Sequence, residues 1–349
     1  MFLRKADVAI DDDALRQLTR RNREQAATRI PTIVALISST FGEPAEVVPL
    51  SSQGTFHLVH RATLYSGQHL IVRSSLTELF ERDDSLLIER KVFPFLTAVG
   101  LSTPAIHVTS VGDRDCAPFD YVIADEAPGQ VIQALPESAQ EHSELWRSVG
   151  AALHRVHTIS GQGFGALLSE HRGKTLQGSR SHWHEHVLCN CDIHIDRCSK
   201  LGLLGRGEAD EAMRYVAHVG REAEFDSALL HGDLGNHNVF IDDRMIPTLV
   251  DWEDALLGDP VFDLAMWATF NPSRRHAAFF EGYGAAVDDQ RLRVALSVYF
   301  LRITLAKAVV RHRFGYPNIP GRPTIRERVS SGLAAVRRAM ENCHGAIFD

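Results

Sequence analysis

The chain has 349 residues, 44% of them hydrophobic, and its 37 basic side chains are outnumbered by 44 acidic ones for a net charge of −7. That length and apolar content are enough for a substantial core and for two lobes. The acidic balance disfavours nucleic acid as the main partner, because backbone phosphates demand clustered surplus Lys and Arg, and it is compatible with a cationic small molecule. The opening stretch Met1 to Asp11 has the basic pair Arg4-Lys5 but no apolar core behind it. The apolar stretch Val294 to Val310 is interrupted by Arg302 and Lys307 and is too short to span a bilayer. Neither an export signal nor a membrane association is expected, and five cysteines fit reduced thiols in a cytoplasmic protein.

In chain order, residues 13–41 read as helix, with Pro31 marking a break or a first turn. Glu46 to Leu50, Phe56 to Leu64 and Gln68 to Arg73 alternate in hydrophobicity and read as three antiparallel strands, the last two joined by Tyr65-Ser66-Gly67. The turn Ser51-Ser52-Gln53-Gly54-Thr55 holds one glycine and by itself is an ordinary hairpin turn. Arg73, at the end of the third strand, is by itself a surface cation. Glu78 to Val99 reads as a helix that Pro94 must kink or end, with Glu78 and Glu81 as exposed first-turn acids. Ala105 to Ser110 and Phe119 to Ala124 flank a Gly112-Asp113-Arg114-Asp115 turn and complete a five-stranded lobe. The Pro- and Gly-containing stretch Asp125-Glu126-Ala127-Pro128-Gly129 then reads as a crossover, dividing the chain into lobes 1–125 and 126–349.

Ser143 to His157 is an amphipathic core helix with Leu145, Val149, Ala152, Leu153 and Val156 on one face. Gly161-Gln162-Gly163-Phe164-Gly165-Ala166 mimics a dinucleotide fingerprint but follows a helix, where such a loop should follow a strand. His182 to Cys198 is rich in His and Cys. At about 100° per residue Trp183, Val187, Cys191, His194 and Cys198 share a face. Cys191, His194 and Cys198 could approach one ion, but with no fourth ligand and no zinc-knuckle spacing a buried thiol-rich face is expected. The opposite face carries Glu185, Asp192 and Asp196, an acidic stripe that is either solvated or turned toward a cation.

Ala228 to Ala265 organises the rest. His231-Gly232-Asp233-Leu234-Gly235-Asn236-His237-Asn238 is followed by Val-Phe-Ile, a polar break at Asp242-Asp243-Arg244, then Ile-Pro-Thr-Leu-Val ending in Asp251-Trp252-Glu253. The two apolar runs read as a hairpin, which sets Asn238 beside Asp251 as a pair of hard oxygen ligands suited to Mg²⁺ on a nucleotide's phosphates. Asp233, on the loop entering the first arm, could orient a hydroxyl and accept its proton.

These residues, with Gly258-Asp259-Pro260 and Asp263-Leu264-Ala265, resemble the aminoglycoside phosphotransferase family of protein-kinase-like small-molecule kinases. The resemblance spans roughly residues 46–270. It implies an α+β, bilobal kinase-like fold and transfer of phosphate from ATP (or GTP), with Mg, to a small-molecule hydroxyl. It further implies Asp233 as the catalytic carboxylate, Asn238 and Asp251 as metal ligands, and Arg73, in place of the usual lysine, paired with Glu89 on the phosphates. Ser52 and Gly54 would cover the phosphates, and the backbone at Asp125 and Ala127 would meet the adenine edge. Asp263 would brace the loop. An aminoglycoside-type antibiotic is the expected acceptor, with Glu253, Asp254, Asp192 and Asp196 facing its positive charges. A choline-, homoserine- or sugar-like metabolite is the alternative, and an inactive kinase-like binding protein is the other class; a quaternary ammonium would need an aromatic cage, for which Trp252, Trp267 and Phe270 are nearby in sequence, the last two at the helical spacing of core residues.

Overall fold

The computed structural model describes residues 11–341 apart from 52–53, 55, 77–81, 171–172, 222–224, 286–288, 317 and 319–322. Its first helix, α1 (Asp12–Phe41), starts where the Asp11 carboxylate accepts from the backbone N–H groups of Asp13 and Ala14, and it ends at Gly42 in the left-handed region. It runs unbroken through Pro31, contrary to the expected break. Ile33, Leu36 and Ile37 beyond the proline are buried against Ala62, Leu64, Leu70 and Val72, and this packing holds the helix despite the missing N–H.

Strands β1 (Ala45–Pro49), β2 (His57–Leu64), β3 (His69–Ser75), β4 (Ile106–Ser110) and β5 (Tyr121–Asp125) form one antiparallel sheet in the order β1-β2-β3-β5-β4. Their period of two matters at β3: Leu70 and Val72 enter the core under α1, so Arg73 emerges on the other face. On that face lies α2 (Leu86–Ala98), which passes through Pro94 without ending. Glu78 and Glu81, at the expected start of the helix, lie outside the described residues.

After β5 the chain crosses at β6 (Gln130–Val131), where Gly129 has φ 85° and a Cβ there would stand 2.1 Å from the Ile241 carbonyl oxygen. Only glycine lets the crossover approach that closely. The helices α3 (Glu137–Gln140) and α4 (Ser143–His157) follow, then β7 (Gly161–Gln162), β8 (Phe164–Leu167) and β9 (Leu176–Arg180). Of the fingerprint-like glycines, Gly161 and Gly165 therefore lie in strands and Gly163 at the bend between them, and β8 pairs with β13 (Leu256–Gly258) in a second five-stranded sheet that also holds β10 (Ala228–Leu230). The His- and Cys-rich segment, expected as one helix, is two: α5 (Trp183–Val187) and α6 (Cys191–Lys200), with Asn190 at φ 55° between them. The break is pinned by buried Arg302, which donates to the carbonyls of Val187 and Cys189 at 2.8 Å each. Trp183, Val187, Cys191, His194 and Cys198 are nevertheless all buried. His194 Nδ1 lies 3.0 Å from Arg302 Nη1, and burial pushes the Cys198 thiol up to about 12, so this face is packing rather than a ligand set.

Helix α7 (Arg206–Arg221) precedes β10, and the hairpin β11 (Val239–Ile241) and β12 (Pro247–Leu249) forms with the register expected around Asp242-Asp243-Arg244. The chain ends in α8 (Pro260–Ala268), α9 (His276–Tyr283), α10 (Gln290–Arg313) and α11 (Ile325–Met340). Helix α10 is the axis of the C-terminal core, with Leu296, Leu301, Leu305 and Val309 buried among residues of α6, α8 and α11. No helix among the described residues is long and apolar enough to cross a membrane.

Candidate active site

The loop between β10 and β11 is fixed from beneath. Asp263, fully buried on the first turn of α8, accepts from the backbone N–H of His231 at 2.6 Å and of Gly232 at 3.0 Å. The buried ring of His231 donates from Nε2 to the Val250 carbonyl at 2.9 Å and accepts at Nδ1 from the Asp233 N–H at 3.4 Å. A ring with one donor and one acceptor is neutral, and burial pushes its pKa down accordingly. Gly232 has φ 80° and a Cβ would stand 2.1 Å from the Asp254 carbonyl oxygen, so the loop lies directly on the turn after the hairpin. The Asp233 side chain stays 21% exposed, its carboxylate 3.9 Å from His237 Nε2.

Folding of the β11–β12 hairpin brings Asn238 and Asp251 together: the Val250 N–H donates to the Asn238 carbonyl at 3.0 Å. The Asn238 amide donates to the Asp233 carbonyl at 2.9 Å, which leaves the amide oxygen as the atom for a hard cation. Asp251 adopts φ 65°, a left-handed conformation that a short polar side chain tolerates. An amide oxygen and a carboxylate form a donor set that fits Mg²⁺ better than a softer metal.

Arg73 joins the two lobes. Its guanidinium lies 2.6 Å from Glu89 Oε2 and 2.5 Å from Asp251 Oδ1, and Glu89 Oε1 accepts from the Trp252 N–H at 3.0 Å. A fork with separate donors can hold two carboxylates at once, which a single ammonium does less well. Burial disfavours its charge, and Glu89, Asp251, Glu253 and Asp83 outweigh that, so it remains a cation. Pro94 does not displace Glu89.

Other expected site residues lie elsewhere. Glu253 and Asp254 are buried, with relative exposures of 6% and 1%, and do not face an acceptor. Glu253 instead stands 2.6 Å from His57 Nδ1, and Asp83 stands 2.7 Å from His57 Nε2. Burial alone would push the His57 pKa down, but the two carboxylates raise it from 6.5 to about 10. His57 thus ties the start of β2 to the turn after the β11–β12 hairpin, a contact that no motif in the sequence signals. Asp192 and Asp196 are exposed on α6, and Asp196 bonds Lys200 at 2.6 Å. Asp196 lines a groove with Val309, His312 and Arg313 on α10. Val309 is two residues, about 200°, around that helix from Lys307, whose charge interacts with Asp233, so the acidic stripe lies on the wrong side of α10 to serve the loop. The Asp125 N–H donates to the Ala105 carbonyl at 2.9 Å and its carboxylate lies 2.8 Å from both Gln68 and His107, so neither of these two groups is turned to a base; Ala127 follows just beyond the sheet. Gly54 is exposed in the first hairpin turn, and Ser52 lies outside the described residues. Trp252 and Trp267 are fully buried and cannot form a cage.

A five-stranded sheet above a mainly helical region, an Arg–Glu pair joining them and an Asp–Asn–Asp set at the seam define a kinase-like small-molecule phosphotransferase fold. The chain belongs to the phosphotransferase enzyme family, whose model matches residues 46–296. Hygromycin-B 4-O-kinase of Escherichia coli is 22% identical over 186 residues, and the match spans 52% of this chain and 52% of that relative, about half its length. Among solved structures, a thermostable mutant of aminoglycoside phosphotransferase APH(4)-Ia aligns with a TM-score of 0.63 at 18% identity, over 86% of this chain and 98% of that one. A ternary complex of such a mutant with AMP-PNP and hygromycin B gives 0.62 at 17%, over 87% and 98%. Macrolide 2'-phosphotransferase MphH from Brachybacterium faecium gives 0.56 at 14%, over 91% and 99%. At these identities the shared property is the fold.

Proposed function

We propose that the chain catalyses ATP- and Mg²⁺-dependent phosphorylation of a hydroxyl on a small molecule. The observation that carries this reading is the convergence of Asp233, Asn238 and Asp251 with the Arg73–Glu89 pair at one seam. Asp233 accepts the proton of the acceptor hydroxyl as its oxygen bonds to the γ-phosphorus, while the bond from that phosphorus to the bridging oxygen breaks and ADP leaves. Asn238 and Asp251 would hold Mg²⁺, which supplies charge neutralisation on the phosphates. Arg73, held by Glu89, adds a fixed cation, and the Ala127 backbone lies where the base edge would meet the crossover. Most of the rate then comes from positioning and electrostatics.

Nucleotide titrations in the presence and absence of Mg²⁺ test this directly. Asp251→Asn should weaken Mg²⁺-dependent binding of an ATP analogue more than Asn238→Ala, because it removes a charge as well as a ligand. Unchanged Mg²⁺ dependence in both variants would refute the pairing. An aminoglycoside-type acceptor, and with it antibiotic resistance, is supported by the relatives that bind hygromycin B, but the acids expected to receive its amines are buried or on the far side of α10. The fold itself also serves a macrolide phosphotransferase.

A further inference from the structure

The surroundings of Asp233 are basic. Helix α10 lays Lys307 over Phe270, with Nζ 3.3 Å from the ring centroid and donating to Thr269 Oγ1 at 2.5 Å. Phe270 packs edge-on against His237, centroids 5.3 Å apart, and His237 stands 3.9 Å from the Asp233 carboxylate. Arg328 of α11 reaches the same corner and donates from Nη1 to the Thr269 carbonyl. Arg311 lies one helical turn beyond Lys307, on the same face. Lys307 thus shares this corner with Arg328 at Thr269 and with Arg311 along α10, and the charge of Asp233 also acts on it.

A multiply charged amine presented to Asp233 would meet like charges at this corner. A molecule with an anionic group a few ångströms from its reacting hydroxyl would meet complementary ones. We propose that the acceptor carries an anionic oxygen group, a carboxylate or a phosphate, received by Lys307 together with Arg311 and Arg328. This rests on the phosphotransferase reading of Asp233 and narrows its substrate class. Burial pushes the Lys307 ammonium down to about 7, with Asp233 pulling upward and the two arginines pushing further down. A bound anion restores the charged form, as a cation kept out of water requires.

The test uses matched pairs of probes with the full-length protein and Mg·ATP: gluconate against sorbitol, glucose 6-phosphate against glucose, and kanamycin as the polycation. Phosphoryl transfer is read as acceptor-dependent ADP release. The expected result is a kcat/KM at least tenfold higher for the anionic member of one pair than for its neutral partner, and which pair responds separates carboxylate from phosphate. Lys307→Met should raise KM for that acceptor by roughly 30-fold, as truncating one partner of a desolvated charge pair does, while Lys307→Arg keeps the preference. Binding of an ATP analogue by both variants reports that they are folded. A best acceptor that is neutral or polycationic, an anionic-to-neutral ratio unmoved by Lys307→Met, or no turnover of either anionic probe by wild-type protein that binds the nucleotide overturns the proposal alone. A wild-type protein with no Mg²⁺-dependent nucleotide binding overturns the phosphotransferase reading as well.

Discussion

Arg73 does the work of connecting three other residues: one carboxylate from α2, one from the end of the hairpin and, through Glu89, the Trp252 N–H. Removing one partner of such a buried pair leaves a charge uncompensated, at a cost of about 3–5 kcal/mol. Glu89→Gln should therefore lower stability in urea unfolding and raise KM for ATP while leaving KM for the acceptor nearly unchanged; a rise confined to the acceptor KM would contradict this. Asn238, Asp251 and Asp233 came forward from the hairpin and the loop that enters it, whereas Arg73 and Glu89 came forward only through the family resemblance. His57 and Lys307 could not be found that way. Their partners are 26 and 196 residues away for His57 and 38 away for Lys307 at Thr269, and no local spacing encodes such distances.

At the scale of elements, the start of β2 is locked to the turn after the β11–β12 hairpin by His57 between Asp83 and Glu253. Its folded pKa of about 10 exceeds the ordinary 6.5, so the stabilisation from the charged ring is complete below pH 6.5 and is lost as pH rises through about 10. Urea unfolding at several pH values should show wild-type stability falling across that window, with that component of the slope missing in His57→Gln. Identical slopes would show that the ring carries no such charge. Strands of the first sheet were legible to within two residues from their alternation, and Ser143–His157 to the residue. Helix breaks were not. The break at Asn190 depends on Arg302 more than 100 residues on, and the continuity of α1 through Pro31 depends on a sheet that the helix segment cannot specify.

Across the whole molecule, a net charge of −7 is compatible with a cationic substrate and equally with solubility alone, and the average does not describe the seam. Its acids are committed: Glu89 and Asp251 to Arg73, Glu253 to His57, Asp263 to the loop backbone. The exposed Asp192 and Asp196 belong to another face, so neutralising both should leave acceptor KM within about twofold, as for surface charges remote from a site. A severalfold rise with kcat unchanged would bring α6 back into acceptor binding. The central claim is that Asp233 is the group that takes the hydroxyl proton. The most direct measurement compares wild type and Asp233→Ala for acceptor-dependent ADP release and, in parallel, for Mg²⁺-dependent binding of an ATP analogue. If Asp233 takes that proton, the variant's kcat falls by roughly 10²- to 10⁴-fold with nucleotide affinity retained; near-normal turnover in the variant would show that another group takes it.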